Sequence, residues 1–205
     1  MRILILIITV MSFIVPAMVV AAEGSPEAGK AKAQQAGCLG CHGADGVATP
    51  SGIAIDRNVP NLAGEPDLYL QFQLVFFRRG VRKNGVMSAM AAPLSNEDIR
   101  NLSAFYAAMP APSPPMPPDS APEETKMGEK LAQAVHCTNC HGDHFEGVDN
   151  IGRLAGQRED YLYKALHDFK SGARVATGAA GMADVVYPLD DQEMRLLAHY
   201  LSRLH

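Results

Sequence analysis

The sequence predicts an all-α chain built as two tandem domains. Three observations carry this prediction. Apolar residues recur at helical spacing, and no alternating strand of useful length appears. One pattern is written twice: Leu62-Ala63-Gly64 to Arg82 aligns without gaps on Leu154-Ala155-Gly156 to Arg174. A proline-dense run, Met109 to Pro118, separates the two copies; it suits a semi-rigid connector and no helix interior. Two copies of this length point to duplicated domains, because a solenoid would use more and shorter units.

In chain order, Met1-Arg2 precedes an apolar run from Ile3 to Val20, and Ala21-Ala22 follow before Glu23. This reads as a secretory signal peptide over 1–22, cleaved on export to the periplasm. A retained N-terminal anchor is the alternative, since the run reaches the lower limit for a spanning helix. Membrane association depends on that alternative alone.

The first domain, 23–109, opens on Ser25-Pro26-Glu27, an N-cap with proline at the first helical position, and its helix runs towards Gly37. Leu68, Phe72, Val75 and Phe76 give Glu65 to Arg79 a helical apolar face, and Gly80 stops it. Ser95-x-x-Asp98 caps the closing helix. After the linker, 110–120, the second domain, 121–205, repeats the scheme with helices at 121–136, 158–171 and 190–203, the last capped by Asp190-x-x-Glu193. Domains this small commonly need a disulfide, a metal or a large cofactor.

The cysteines decide which. Cys38-Leu-Gly-Cys41-His42 and Cys137-Thr-Asn-Cys140-His141 both spell the attachment signature of c-type haem. Two thiols three residues apart share one turn and can each form a thioether, and the adjacent histidine then meets the iron. With four Cys and seven His in 205 residues, one chance match is an event of roughly 0.002. A zinc site would bring its Cys pairs closer in sequence, disulfides would leave both histidines unexplained, and a thioredoxin-like motif needs a βαβ context. The expected cofactors are two covalently attached haem c groups.

With these motifs the sequence resembles class I cytochromes c, and specifically the dihaem cytochrome c4 family. The resemblance covers nearly all of the mature chain and rests on both C-x-x-C-H-G motifs, the Leu-Ala-Gly blocks, and Met87-Ser-Ala-Met-Ala-Ala-Pro-Leu-Ser95. It implies two class I cytochrome c domains, each wrapped around one covalent haem, exchanging electrons. It also implies that a proline carbonyl, Pro60, orients His42; Gly152 stands at the equivalent place in the second half.

A Met sulfur opposite His fills the iron and raises its potential. Met87 and Met90 both lie in what reads as a loop before a helix. The repeat favours Met87, which precedes Leu94 by seven residues as Met182 precedes Leu189, whereas Val185 stands where Met90 would need a partner. Met87 and Met182 are the expected axial ligands, with Met90 in reserve. His136, His144, His167 and His199 have no matched histidine and read as surface or packing residues. Arg78, Arg79, Arg82 and Lys83 read as a solvated basic helix end, with an acidic partner's docking site as the alternative. The Gly-rich stretch Thr177 to Gly181 makes the loop before Met182 a candidate for mobility.

The reading is an electron carrier with no substrate site. Its partners are redox proteins, such as a terminal oxidase or a membrane cytochrome complex. The net charge of −4 argues against nucleic acid. Residues 23–109 hold eight basic and eight acidic side chains, whereas 110–205 hold nine and fourteen, so the halves present different fields to partners. The alternative function is the electron-transfer subunit of a periplasmic dehydrogenase, or an oxidoreductase with one open haem.

Overall fold

The computed structural model describes residues 23–48, 58–113, 119–175 and 180–205, so the leader and most of the Gly-rich stretch lie outside the described residues, as does the centre of the proline linker. Among the described residues the secondary structure is helical, with no strand. The first domain carries α1 (Pro26–Gln35), α2 (Leu39–His42), α3 (Asp67–Arg78), α4 (Gly85–Ala91) and α5 (Asn96–Ala107). The second repeats them as α6 (Pro122–Ala134), α7 (Thr138–His141), α8 (Glu159–Lys170), α9 (Ala180–Val186) and α10 (Asp191–Ser202).

Local chemistry sets the helix ends. Ser25 accepts from the Ala28 N–H with Pro26 at the first helical position. Ser95/Asp98 and Asp190/Glu193 both form complete capping boxes. Helix α3 starts at Asp67, two residues later than expected. Pro66 is its N-cap, while the Glu65 N–H closes a turn onto the Leu62 carbonyl. The segment holding Met87 is a helix and not a loop, because Asn84 Oδ1 accepts from both Val86 and Met87 N–H groups and starts it.

Each domain closes by crossing its first and last helices, α1 on α5 and α6 on α10, with α3 packed on α5 and α8 on α10. The crossings need glycine. A Cβ at Gly29 would lie 1.9 Å from the Asn101 carbonyl oxygen, and one at Gly128 would lie 2.3 Å from that of Leu196. The two cores use matched residues, among them Ala33/Ala132, Leu70/Leu162, Phe77/Phe169 and Leu94/Leu189. Each large side chain so buried contributes about 1.5–3 kcal/mol. The Leu-Ala-Gly blocks are turns: Gly64 and Gly156 share a φ of 68°. Their N–H groups donate to Tyr106 and Leu201 carbonyls of the closing helices.

The domains meet across a near-twofold polar seam. Asn61 N–H donates to Gln157 Oε1 (2.8 Å), Gln157 Nε2 donates back to the Asn61 carbonyl (2.9 Å), and Asn61 Nδ2 donates to the Gly156 carbonyl (2.9 Å). Arg153 N–H donates to Glu65 Oε2 (2.9 Å). Beside these, Arg82 donates to Tyr161 and Arg174 to Tyr69, and both reach Gln73 Oε1. Each guanidinium also lies 4.5 Å from a ring of its own domain, Phe77 or Phe169.

The basic cluster is therefore not one solvated end. Arg82 is spent in the seam, and Arg78 donates to the Leu94 carbonyl and Asn96, leaving Arg79 and Lys83 exposed.

Gly29→Ala should destabilise the holoprotein by about 1–3 kcal/mol in chemical unfolding, because overpacking outweighs alanine's better helix propensity. Gln157→Ala strands the buried Asn61 N–H and carbonyl. It should lower the stability of the docked pair by about 2 kcal/mol, read by calorimetry as a loss of cooperativity between the domains.

Candidate haem-binding sites

Helices α2 and α7 are single turns that follow α1 and α6 after a short break. Each places its two thiols on one edge and turns its histidine inward. His42 is 6% exposed and His141 9%, while Cys41 and Cys140 face outward. Cys38 and Cys137 are half-buried at the start of each turn.

His42 Nδ1 donates to the Pro60 carbonyl (3.0 Å) and His141 Nδ1 to the Gly152 carbonyl (2.8 Å). A carbonyl can only accept, so the proton sits on Nδ1 and each Nε2 keeps its lone pair. Burial holds both imidazoles below their ordinary pKa, with the carbonyl bonds opposing it, so both are neutral at pH 7. The second carbonyl works without proline, and the structure shows why glycine replaced it. A Cβ at Gly152 would lie 2.8 Å from the Tyr69 ring, which docks there across the seam.

His42 opens onto an apolar cavity of about 280 Å³. Cys38 and Cys41 line it, as do Met87 and Met90 from α4, and Tyr161 and Arg174 of the other domain extend its wall. In the second domain Met182 and Cys137 both pack against the core. His136, His144 and His167 are exposed. His199 is held between Asp119 and Glu159.

The lining of the first cavity fits a largely apolar group that carries acceptors. Its wall contains two thiols on one turn, a neutral histidine nitrogen and thioether sulfurs. It also contains Ser103 Oγ, the Tyr106 hydroxyl and Arg174 Nε, all buried and without a hydrogen-bond partner in the protein. Orphaned donors in an otherwise apolar wall suit a ligand that carries acceptors. Glu65 also lines this cavity. The sequence reading missed Asn61, Glu65, Ser103, Tyr106 and Gln157. The signal available was position: Glu65 and Gln157 directly follow the two Leu-Ala-Gly triplets, and Asn61 follows Pro60.

No helix among the described residues is long and apolar enough to cross a membrane. The cytochrome c family pattern matches residues 26–109 and again 125–205. The chain is 34% identical over 179 residues to the thiosulfate dehydrogenase electron acceptor of Thiomonas intermedia, covering 82% of this chain and 79% of that one. It is 31% identical over 191 residues to cytochrome c4 of Thiocapsa roseopersicina, covering 88% and 93%. The crystal structure of reduced recombinant cytochrome c4 from Pseudomonas stutzeri superposes with a TM-score of 0.76 at 30% identity, covering 89% of this chain and 100% of that one. With two histidine-bearing Cys-x-x-Cys turns in a duplicated helical frame, the chain belongs to the cytochrome c family and, within it, to the dihaem electron carriers of the cytochrome c4 group, with two covalently bound haem c groups.

Proposed function

We propose that the protein carries single electrons in the periplasm between two protein partners, using haem-binding domains at 23–109 and 121–205. In this reading Cys38 and Cys41 hold one haem and Cys137 and Cys140 the other, with iron ligated by His42 and Met87 and by His141 and Met182. The observation that supports it best is the shared wall: the neutral His42 and the Met87 thioether line one apolar cavity. Bound haem supplies the one-electron iron couple. The chain's own residues orient the imidazole, exclude water and leave no open coordination position, which suits electron transfer over substrate binding.

The surface supplies two different docking fields. The first domain exposes Arg79 and Lys83, where the aligned residues of the second are Ser171 and Val175. An acidic partner suits the first and a less acidic one the second, with a terminal oxidase or a membrane cytochrome complex at one end of the route. A second reading, acceptance of electrons from a periplasmic dehydrogenase, is supported by the likeness to the Thiomonas intermedia protein.

Pyridine haemochrome analysis of the exported protein should give two haems per chain, low-spin and inert to carbon monoxide. Met87→Ala should convert one haem to a high-spin, carbon monoxide-binding form, and Met90→Ala should leave both low-spin. The reverse pattern assigns Met90 as the ligand. A wild-type haem that binds carbon monoxide moves the open-site enzyme ahead.

A further inference from the structure

Each inward histidine is connected, through one peptide unit, to a side chain of the other domain. The Gly152–Arg153 peptide accepts the His141 Nδ1 proton at its carbonyl (2.8 Å) and donates its N–H to Glu65 Oε2 (2.9 Å). The Pro60–Asn61 peptide accepts from His42 Nδ1 (3.0 Å) and donates its N–H to Gln157 Oε1 (2.8 Å). Glu65 and Gln157 occupy the same position in the two repeats, and each is 5% exposed. Gln157 Nε2 also donates to Glu65 Oε1, at a longer 3.4 Å.

The two relays differ at one atom type. The chain that ends on His42 begins at a neutral carboxamide, and the chain that ends on His141 begins at a carboxyl. Hydrogen bonds in series polarise one another, and a charged acceptor is about twice as strong as a neutral one. A carboxylate at Glu65 draws on the Arg153 N–H, makes the Gly152 oxygen the better acceptor, and leaves the His141 ring richer in electrons. An electron-rich imidazole stabilises oxidised iron, as carboxylate partners of metal-bound histidines do.

We propose that Glu65 and Gln157 are positioning residues acting in trans: each sets the proximal histidine of the opposite domain, and the Glu65 carboxylate lowers the potential of the second domain's haem from the value a carboxamide there would give. The proposal rests on His42 and His141 being the iron ligands. Burial pushes the Glu65 carboxyl up to about 7, opposed by the Arg153 N–H, Gln157 and the Arg153 and Arg174 guanidinium groups. Measurement at pH 8 therefore reads the charged form, with Tyr69, Tyr161 and Arg82 as the remaining ionisable groups of the seam.

The test uses the full-length dihaem protein and the variants Glu65→Gln and Gln157→Glu. Each places in one half the residue that the other half already carries there, and haem content and circular dichroism check their folding. The signature is crossed. In Glu65→Gln the Nδ1 proton resonance of His141 should move while that of His42 stays. The second domain's haem should gain electron affinity by up to about tenfold, equivalent to about 59 mV for one electron. In Gln157→Glu, combined with Glu65→Gln so that two buried carboxyls do not meet, the His42 resonance should move and the first domain's haem should fall in potential.

A through-space charge effect gives the opposite assignment, because Glu65 lines the first domain's cavity. A larger shift of the first haem in Glu65→Gln, or unmoved Nδ1 protons in both variants, overturns the proposal. Failure of the ligand assignment looks different: neither histidine would then show paramagnetically shifted ring protons in the oxidised wild-type protein.

Discussion

The hydrogen bond from each inward histidine to a single backbone carbonyl is the constraint on which the rest depends. It fixes the tautomer, leaves Nε2 as the only nitrogen able to bind metal, and aims it into the domain. The carbonyl must itself be held. Its peptide belongs to an irregular segment between the Cys-x-x-Cys turn and the next long helix, where no helical ladder fixes it. The seam does that work, because the N–H of the same peptide is spent on the opposite domain. Docking of the domains and orientation of the histidines are thus one interaction seen from two ends.

The halves differ at several positions where they touch, although Tyr69/Tyr161 and Arg82/Arg174 stay matched. Pro60 faces Gly152, which must be small because the Tyr69 ring occupies the space a Cβ would need. Gln73, which accepts from both seam arginines, stands opposite Ala165. Glu65 stands opposite Gln157. A carboxyl meeting a carboxamide gives one acceptor and one donor across the axis. In the two cores, Leu70/Leu162 and Phe77/Phe169 are the same residues.

Residues that act locally were legible in the sequence. The capping boxes, the Cys-x-x-Cys-His turns and the apolar face of α3 each involve neighbours within a few positions, and each formed as its pattern requires. The crossing glycines were readable but unread. Gly29 and Gly128 each stand nine residues before the first cysteine of their repeat, a match visible without coordinates. The seam was not legible. Asn61 and Gln157 are polar, lie 96 positions apart, and carry no periodicity that distinguishes a buried partner from a solvated surface group. Arg82 was misread for the same reason: a basic residue beyond a helix end has the same local signature whether it meets water or a tyrosine of another domain. The helix holding Met87 escaped notice because it is short and its Asn84 cap bonds two N–H groups without a capping-box partner.

A seam of this kind suits a carrier that must dock with different partners in turn. Exposed ion pairs between the domains would be worth little and would weaken with salt or with the field of an approaching protein. The central bonds here are buried, short and mostly between neutral groups, so ionic strength hardly reaches them. Losing any one strands a desolvated partner, which makes the docked arrangement steep in energy even though its net contribution to stability is modest. The spacing of the two inward histidines then stays fixed while the charged outer surfaces change company. Charge variation is confined to those surfaces, where Arg79 and Lys83 meet water on one half and Ser171 and Val175 on the other. Glu65 is the exception, a carboxyl kept inside the seam where a carboxamide would make the same bond to Arg153. Its charge faces the Arg153 and Arg174 guanidinium groups, and the peptide it holds leads to His141.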